Sequence, residues 1–295
     1  MIIKTRIPLK YLFNKIKWKL LIVTLLSTAF YFISEFLVDI SIPISIGVFL
    51  GSAIALLLSF KLSQSYDRWW EARKIWGSIV NDSRSLVIQL KSFSENKDKD
   101  LVNKIAYRQM AWCYSLSQSL RGFNALENLS TFISKRELDL LKTHQNAPLK
   151  LLDFHSENIQ ELKRKNLINS YQQVQLDQTL VNLCSSMGKA ERIKNTVFPT
   201  TYALTLNIFI YTFLILLSLS LTELHSLVEI PLEILISIPF FMLEKIAFSI
   251  QDPFENNPTD TPITSISKTI ETNLKQLIGD DNIPATEKND EFYVL

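Results

Sequence analysis

Apolar residues are bunched along this chain. They gather in four runs, Leu20 to Val38, Ile42 to Phe60, Tyr202 to Leu221 and Ile230 to Phe248, while Lys61 to Asn195 is polar and amphipathic. Each run approaches the roughly 20 apolar residues that, rising 1.5 Å apiece, cross a hydrocarbon core about 30 Å thick. Four membrane spans framing a large helical region outside the bilayer follow from that pattern. The second run passes without a break into Ser63 to Gly77, which is crowded with charge and tryptophan, so one helix is expected to leave the membrane and continue into water.

Outside the spans the period is helical and no alternating run indicates a sheet. Amphipathic helices are predicted over Tyr66 to Lys91, Leu101 to Phe123, Lys135 to Lys142, Ser156 to Lys165, Leu167 to Lys194 and Ile263 to Leu277, with Ser94 to Asp100 as a polar link. Ser134 followed by Glu137 has the spacing of a capping box. Asn146-Ala147-Pro148 marks a break, Gly279 a helix stop, and Asp280 to Leu295 reads as disordered or loosely draped. The chain is thus all-α and divides into 1–61 (N-terminal segment and two spans), 62–196 (outer helical region), 197–250 (two spans) and 251–295 (C-terminal segment).

Within the second run, Pro43 suits a first helical turn. Gly47 and Gly51, four residues apart, permit close helix packing. Ser52, Leu56 and Phe60 share one face by their own four-residue spacing. In the first run Glu35, beside Asp39, is placed to snorkel to the headgroups. The fourth run is more broken and polar, with Pro231, Glu233, Pro239, Glu244 and Lys245. Adjacent helical positions do not face each other, so Glu244 and Lys245 read as interfacial or subunit-contact groups rather than a pair.

The mean hydropathy of +0.13 therefore averages two kinds of surface, and the net charge of +2 matters through its distribution. Lys4, Arg6, Lys10, Lys15, Lys17 and Lys19 precede the first span, whereas Asp39 to Ser41 and Thr222 to Glu229 contain no Lys or Arg. The positive-inside rule puts both termini and the middle region in the cytoplasm of a multi-pass inner-membrane protein. No cleavage site follows the first run, so a cleaved signal peptide is not expected. Cys113 and Cys184 offer no disulfide framework. His144, His155 and His225 are isolated, and six scattered glycines form no phosphate loop, so catalysis, a metal site and a cofactor are not indicated. Lys and Arg alternate with Asp and Glu, which argues against nucleic acid as a partner.

The remaining signal lies at the junctions. Asp67, Arg68, Trp69, Trp70, Glu71 and Arg73 stand just beyond the second span, where an interfacial belt accounts for the composition but not the density. Adjacent tryptophans point to different faces, so at least one is expected to be buried, and the charges permit pairs within the helix or between subunits. The run Ile42-Pro43-Ile44-Ser45, then Phe60, Tyr66-Asp67-Arg68-Trp69-Trp70-Glu71-Ala72-Arg73-Lys74-Ile75-Trp76-Gly77 and Asn81-Asp82-Ser83-Arg84, closely resembles the bestrophin family, particularly its bacterial branch. Glu191 to Thr196 leading into Phe198-Pro199 and Tyr202, and Asp252-Pro253-Phe254 in place of the family's Asn-Pro-Phe, extend the likeness over about residues 5 to 278.

The resemblance implies a homopentameric channel in the lipid bilayer for passive flow of small monovalent ions, with the second span lining one axial pore. Carried over, the hydrophobic neck falls on Ser52, Leu56 and Phe60, with Ser52 making the outer ring wetter, and a cytoplasmic constriction falls on Leu180, beside Leu176 and Leu183. Glu255 to Asp260 holds too few carboxylates for calcium, which takes six to eight oxygens, so calcium gating is not expected. Chloride conduction is slightly preferred over a sodium or potassium channel of the same fold. A secondary transporter or a membrane-anchored scaffold are the readings from other classes.

Overall fold

The computed structural model describes residues 1–2, 8–36, 42–95, 97–196, 199–221, 226–284 and 292–295, with the side chains of 9, 35, 226 and 227 outside that description. Lys4, Arg6, Asp39 to Ser41, Val197, Phe198, His225 and the Glu35 side chain therefore lie outside the described residues. The described residues are helical with no sheet: α1 Leu9–Phe36, α2 Ile44–Phe93, α3 Lys99–Leu120, α4 Lys135–Leu141, α5 Ala147–Arg164, α6 Ser170–Asn195, α7 Thr200–Ser220, α8 Ser226–Gln251 and α9 Ile263–Ile278. α2 is continuous over 50 residues, as the unbroken pattern required. Two compact units result, one of Met1–Ile3, Trp70–Thr196 and Pro253–Leu295, the other of Lys4–Trp69 and Val197–Asp252.

In the apolar unit, α1 packs on α7 and α8, and α7 on α8. Its core holds Val23, Ile54, Leu58, Ile210, Leu214 and Phe241. Three helices, Lys10–Ser34, Ile44–Phe93 and Thr200–Ser220, are long and apolar enough to cross a membrane. α8 is long enough at 26 residues but carries Glu229, Glu233, Glu244 and Lys245. α1 begins at Leu9, so Lys10 to Lys19 lie inside the helix rather than ahead of it. Gly51 meets the expected close approach, since a Cβ there would sit 3.1 Å from Phe213 Cε2 on α7, whereas Gly47 has nothing within 4 Å.

Glu244 departs from its expected role. It is buried and pairs with Lys19 Nζ at 2.7 Å, and Asn207 Oδ1 accepts from the same ammonium at 2.9 Å. A buried carboxylate needs a partner, and Lys19, 225 residues away in sequence, supplies it. Lys245 is exposed.

The polar unit is organised on α3, which packs against α5, α6 and α9. Trp112, Ile105, Met110 and Leu116 of α3, with Trp76, Leu86 and Leu90 of α2, are fully buried. Arg84 Nε donates to Asn273 Oδ1 at 2.9 Å, tying α2 to α9, and Thr179 Oγ1 donates to Gln89 Oε1 at 2.9 Å, tying α6 to α2. Both halves of the Ser134–Glu137 capping box form. Gly279 ends α9 at φ 74°, the left-handed region that favours glycine.

Two local expectations change. The Asn146-Ala147-Pro148 break is the start of α5, nine residues ahead of Ser156, because the Asn146 side chain caps Leu149 N and Pro148 needs no donor in the first turn. The C-terminal segment is in part fixed, for Ile2 bridges Tyr293 antiparallel and Val294 N donates to Met1 O at 2.8 Å. Two extended segments satisfy each other's backbone groups there.

Candidate functional site

The membrane half of α2 has two unlike faces. Ile54, Leu58, Lys61 and Ser65 are buried against the apolar unit, while Ser52 is exposed and Leu56 and Phe60 are each 58% exposed. At about 100° per residue the two sets are on opposite sides of one helix. Ile54 and Leu58 anchor the helix by van der Waals packing against its neighbours, the force that holds helices together where the surroundings are as apolar as the side chains. Among the described residues Leu56 and Phe60 are left largely open, although they are among the most apolar residues of the segment. The Ser52 hydroxyl donates to Val48 O at 2.8 Å, so its polarity is partly spent on its own helix.

Behind this face lies a polar chain that pattern reading did not find. Lys61, 1% exposed, sits over the rings of Phe248 and Tyr202 at 4.8 and 5.8 Å and donates to Gln251 Oε1 at 2.5 Å. Gln251 Nε2 donates to Asp252 Oδ2 at 2.9 Å, and Arg68 Nη2 meets Asp252 Oδ1 at 3.4 Å. A lysine directly at the end of an apolar run was the available signal, since an uncompensated buried ammonium costs several kcal/mol.

At the junction Asp67 is exposed, Trp69 is half-buried with its ring 5.9 Å from Tyr66, and Trp70 is 46% exposed. Neither tryptophan is buried within the chain, contrary to expectation; the indole that goes fully inside is Trp76. Glu71 pairs with Lys74 at 2.7 Å on the helix surface, and Arg73 is half-buried.

Leu180 does not line an open face. It is 8% exposed and packs in the core with Leu176 and Leu183, whereas the next residue, Val181, is 58% exposed. One residue is about 100° of rotation, enough to exchange a core position for an open one. The uncovered face of α6 carries Val174, Gln178, Val181 and Asn182.

The loop after Phe254 holds single carboxylates in separate roles. Glu255 pairs with Lys194 at 2.6 Å, and Asp260 is buried, with burial pushing its carboxyl up to about 6 while Asn257 N donates to it at 3.1 Å. Among the described residues no three His, Cys, Asp or Glu side chains gather as a metal site.

Residues 7–276 match the family model described as Bacterial/Fungal Bestrophin protein. Among curated proteins, the chain is 31% identical over 243 residues to the voltage-dependent anion channel-forming protein alr2987 of Nostoc sp., covering 81% of this chain and 79% of that one. It is 29% identical over 285 residues to the voltage-dependent anion channel-forming protein YneE of Escherichia coli K12, covering 96% and 93%. A crystal structure of a bacterial bestrophin homolog from Klebsiella pneumoniae superposes with a TM-score of 0.84 at 27% identity, covering 90% of this chain and 99% of that one. With a family model spanning nearly its whole length and a neighbour of the same helical fold, the chain belongs to the bestrophin family.

Proposed function

We propose that the chain forms a homopentameric channel for passive ion flow across a bacterial inner membrane, with α2 lining an axial pore and no chemical step. The carrying observation is the open Ser52, Leu56 and Phe60 face of α2, apolar yet exposed among the described residues, opposite a face anchored by Ile54 and Leu58. Five copies would make apolar rings of Leu56 and Phe60, which can gate by dewetting. The fourth span is α8, its buried Glu244 neutralised by Lys19, and both termini face the cytoplasm by the positive-inside pattern. The second constriction is assigned to the uncovered face of α6, at Val181 rather than Leu180. Calcium is not a gating ligand in this reading, since Glu255 is engaged by Lys194 and leaves no carboxylate cluster. Anion conduction is preferred because the curated relatives are named as anion channel-forming proteins.

The test joins mass and current. The detergent-solubilised complex is expected near 170 kDa, five times 34.0 kDa. In planar bilayers under a KCl gradient the reversal potential is expected on the chloride side of zero, and Leu56→Ala and Phe60→Ala should each raise conductance. A monomeric mass, saturable uptake without single-channel steps, or neck variants with unchanged conductance would each refute the channel reading. A reversal at the potassium equilibrium value would refute the anion choice alone.

A further inference from the structure

Between Ile44 and Trp69 α2 carries three charges, Lys61, Asp67 and Arg68, and helix geometry sorts them onto two sides. At about 100° per residue, Asp67 falls within roughly 20° of both Leu56 and Phe60, about 10 Å along the axis beyond Phe60, whereas Lys61 and Arg68 lie roughly 140° and 120° round from Leu56. Burial sorts them the same way. Lys61 is 1% exposed, the Arg68 side chain is 18% exposed, and Asp67 is exposed. Partners follow suit: Lys61 donates to Gln251, Arg68 meets Asp252, and Asp67 has no ion pair among the described residues.

Nothing among the described residues accounts for that aspartate. It sits mid-helix, where aspartate is a poor helix former, far from the end of α2 where its charge would favour the dipole, and it is exposed. We propose that Asp67 is a specificity-determining residue of the ion pathway, a carboxylate that draws cations to the inner mouth of the neck and opposes anions there. The inference rests on the pentameric channel reading, in which five copies of Asp67 ring the passage just inside the Phe60 ring.

The apolar rings carry no sign of charge, so the sign must come from the nearest charged groups. In that pentamer Asp67 is on the side that faces the passage, with Leu56 and Phe60. Lys61 and Arg68 lie on the other side of the helix body, about 10 Å across, so their Coulomb interaction with an ion in the passage is weaker than that of the nearer carboxylate. Asp252 further offsets Arg68. The carboxylate therefore dominates, and anion preference in this channel is expected to be weak because Asp67 works against it.

The test changes that charge after assembly. In a Cys184→Ser background, which removes the exposed thiol and leaves the buried Cys113, Asp67→Cys is reconstituted and modified from the cytoplasmic side with a sulfonate or an ammonium methanethiosulfonate. Asp67→Asn is measured alongside. Neutralisation should raise the chloride-to-potassium permeability ratio at least about threefold, the order expected for several screened unit charges near the ion path. The ammonium adduct should raise it further, and the sulfonate adduct should restore the parent value. A pentamer that conducts with the parent's ratio in every one of these states would overturn the proposal. So would dissociation of Asp67→Asn into smaller species, which would make Asp67 an assembly residue. Failure of the unsubstituted protein to conduct would instead refute the channel reading beneath it.

Discussion

Gly51 offers the sharpest test of how the α2 helix is seated. A Cβ at Gly51 would lie 3.1 Å from Phe213 Cε2 and 3.4 Å from Cζ, inside the 3.5–4.0 Å of comfortable carbon contact. Phe213 is 5% exposed and its ring centroid is 5.2 Å from that of Phe240, so it has little room to retreat. Overpacking of this kind costs about 1–3 kcal/mol. Replacing a helical glycine with alanine gains about 1 kcal/mol in return, leaving Gly51→Ala destabilised by about 1 kcal/mol and Gly51→Val by about 3 kcal/mol. Gly47, with nothing within 4 Å, is the internal control. Gly47→Ala keeps the propensity gain and should be as stable as the parent or more so within the subunit. The assay is the thermal midpoint of the detergent-solubilised protein followed by size-exclusion fluorescence, where about 1 kcal/mol corresponds to a shift of about 2–4 °C. A Gly51→Ala protein melting above the parent would refute the packing argument. A Gly47→Ala protein that folds but loses its oligomeric peak would place a neighbouring subunit against that glycine.

Other outcomes are fixed by the polar unit. Arg108 is buried and donates to Glu137, to Asn158 and, at 2.9 Å, to Phe154 O. Removing one partner of such a pair strands a buried charge, so Glu137→Ala should cost about 3 kcal/mol, read as the melting midpoint at pH 7. Burial alone would raise the Glu137 carboxyl, but the charge and hydrogen bond of Arg108, helped by Lys104 and the Ser134 backbone, outweigh it and hold it below the ordinary 4.5. Its contribution is therefore full above about pH 4.5 and lost as pH falls through the depressed value, so the gap between parent and Glu137→Ala should narrow in acid. A gap that widens in acid would contradict this sign. Burial pushes the Cys113 thiol up to about 12, whereas Cys184 is exposed. One thiol per subunit should react with a maleimide under native conditions, and mass spectrometry should place the adduct on Cys184.

Much of the architecture was legible in advance because it is local. The period of the apolar residues marked the spans and the amphipathic helices, the Ser134–Glu137 and Gly279 signals located helix ends, and four-residue spacing alone put Ser52, Leu56 and Phe60 on one side of α2. Side chains three and four apart share a helical face whatever surrounds them, so such statements need no tertiary information. Boundaries were less secure: Pro148 read as a break and proved to be the first turn of α5, since the same missing N–H that interrupts a helix is harmless where it begins.

Tertiary structure alone decided which of those faces are covered. Leu180 and Val181 are equally apolar in the sequence, yet one is in the core and the other is open, because coverage of α6 is set by how α3 and α5 pack against it. The charged pairs are of the same kind. Lys61 and Gln251 are 190 residues apart and Lys19 and Glu244 are 225 apart, and no local pattern relates them. A buried charge announces that it needs a partner, through the cost of leaving water, but not which partner it finds. Local periodicity, a property of each helix by itself, determined the sides of α2; the packing of remote helices determined that the Leu56 and Phe60 side stays open, with Asp67 on it.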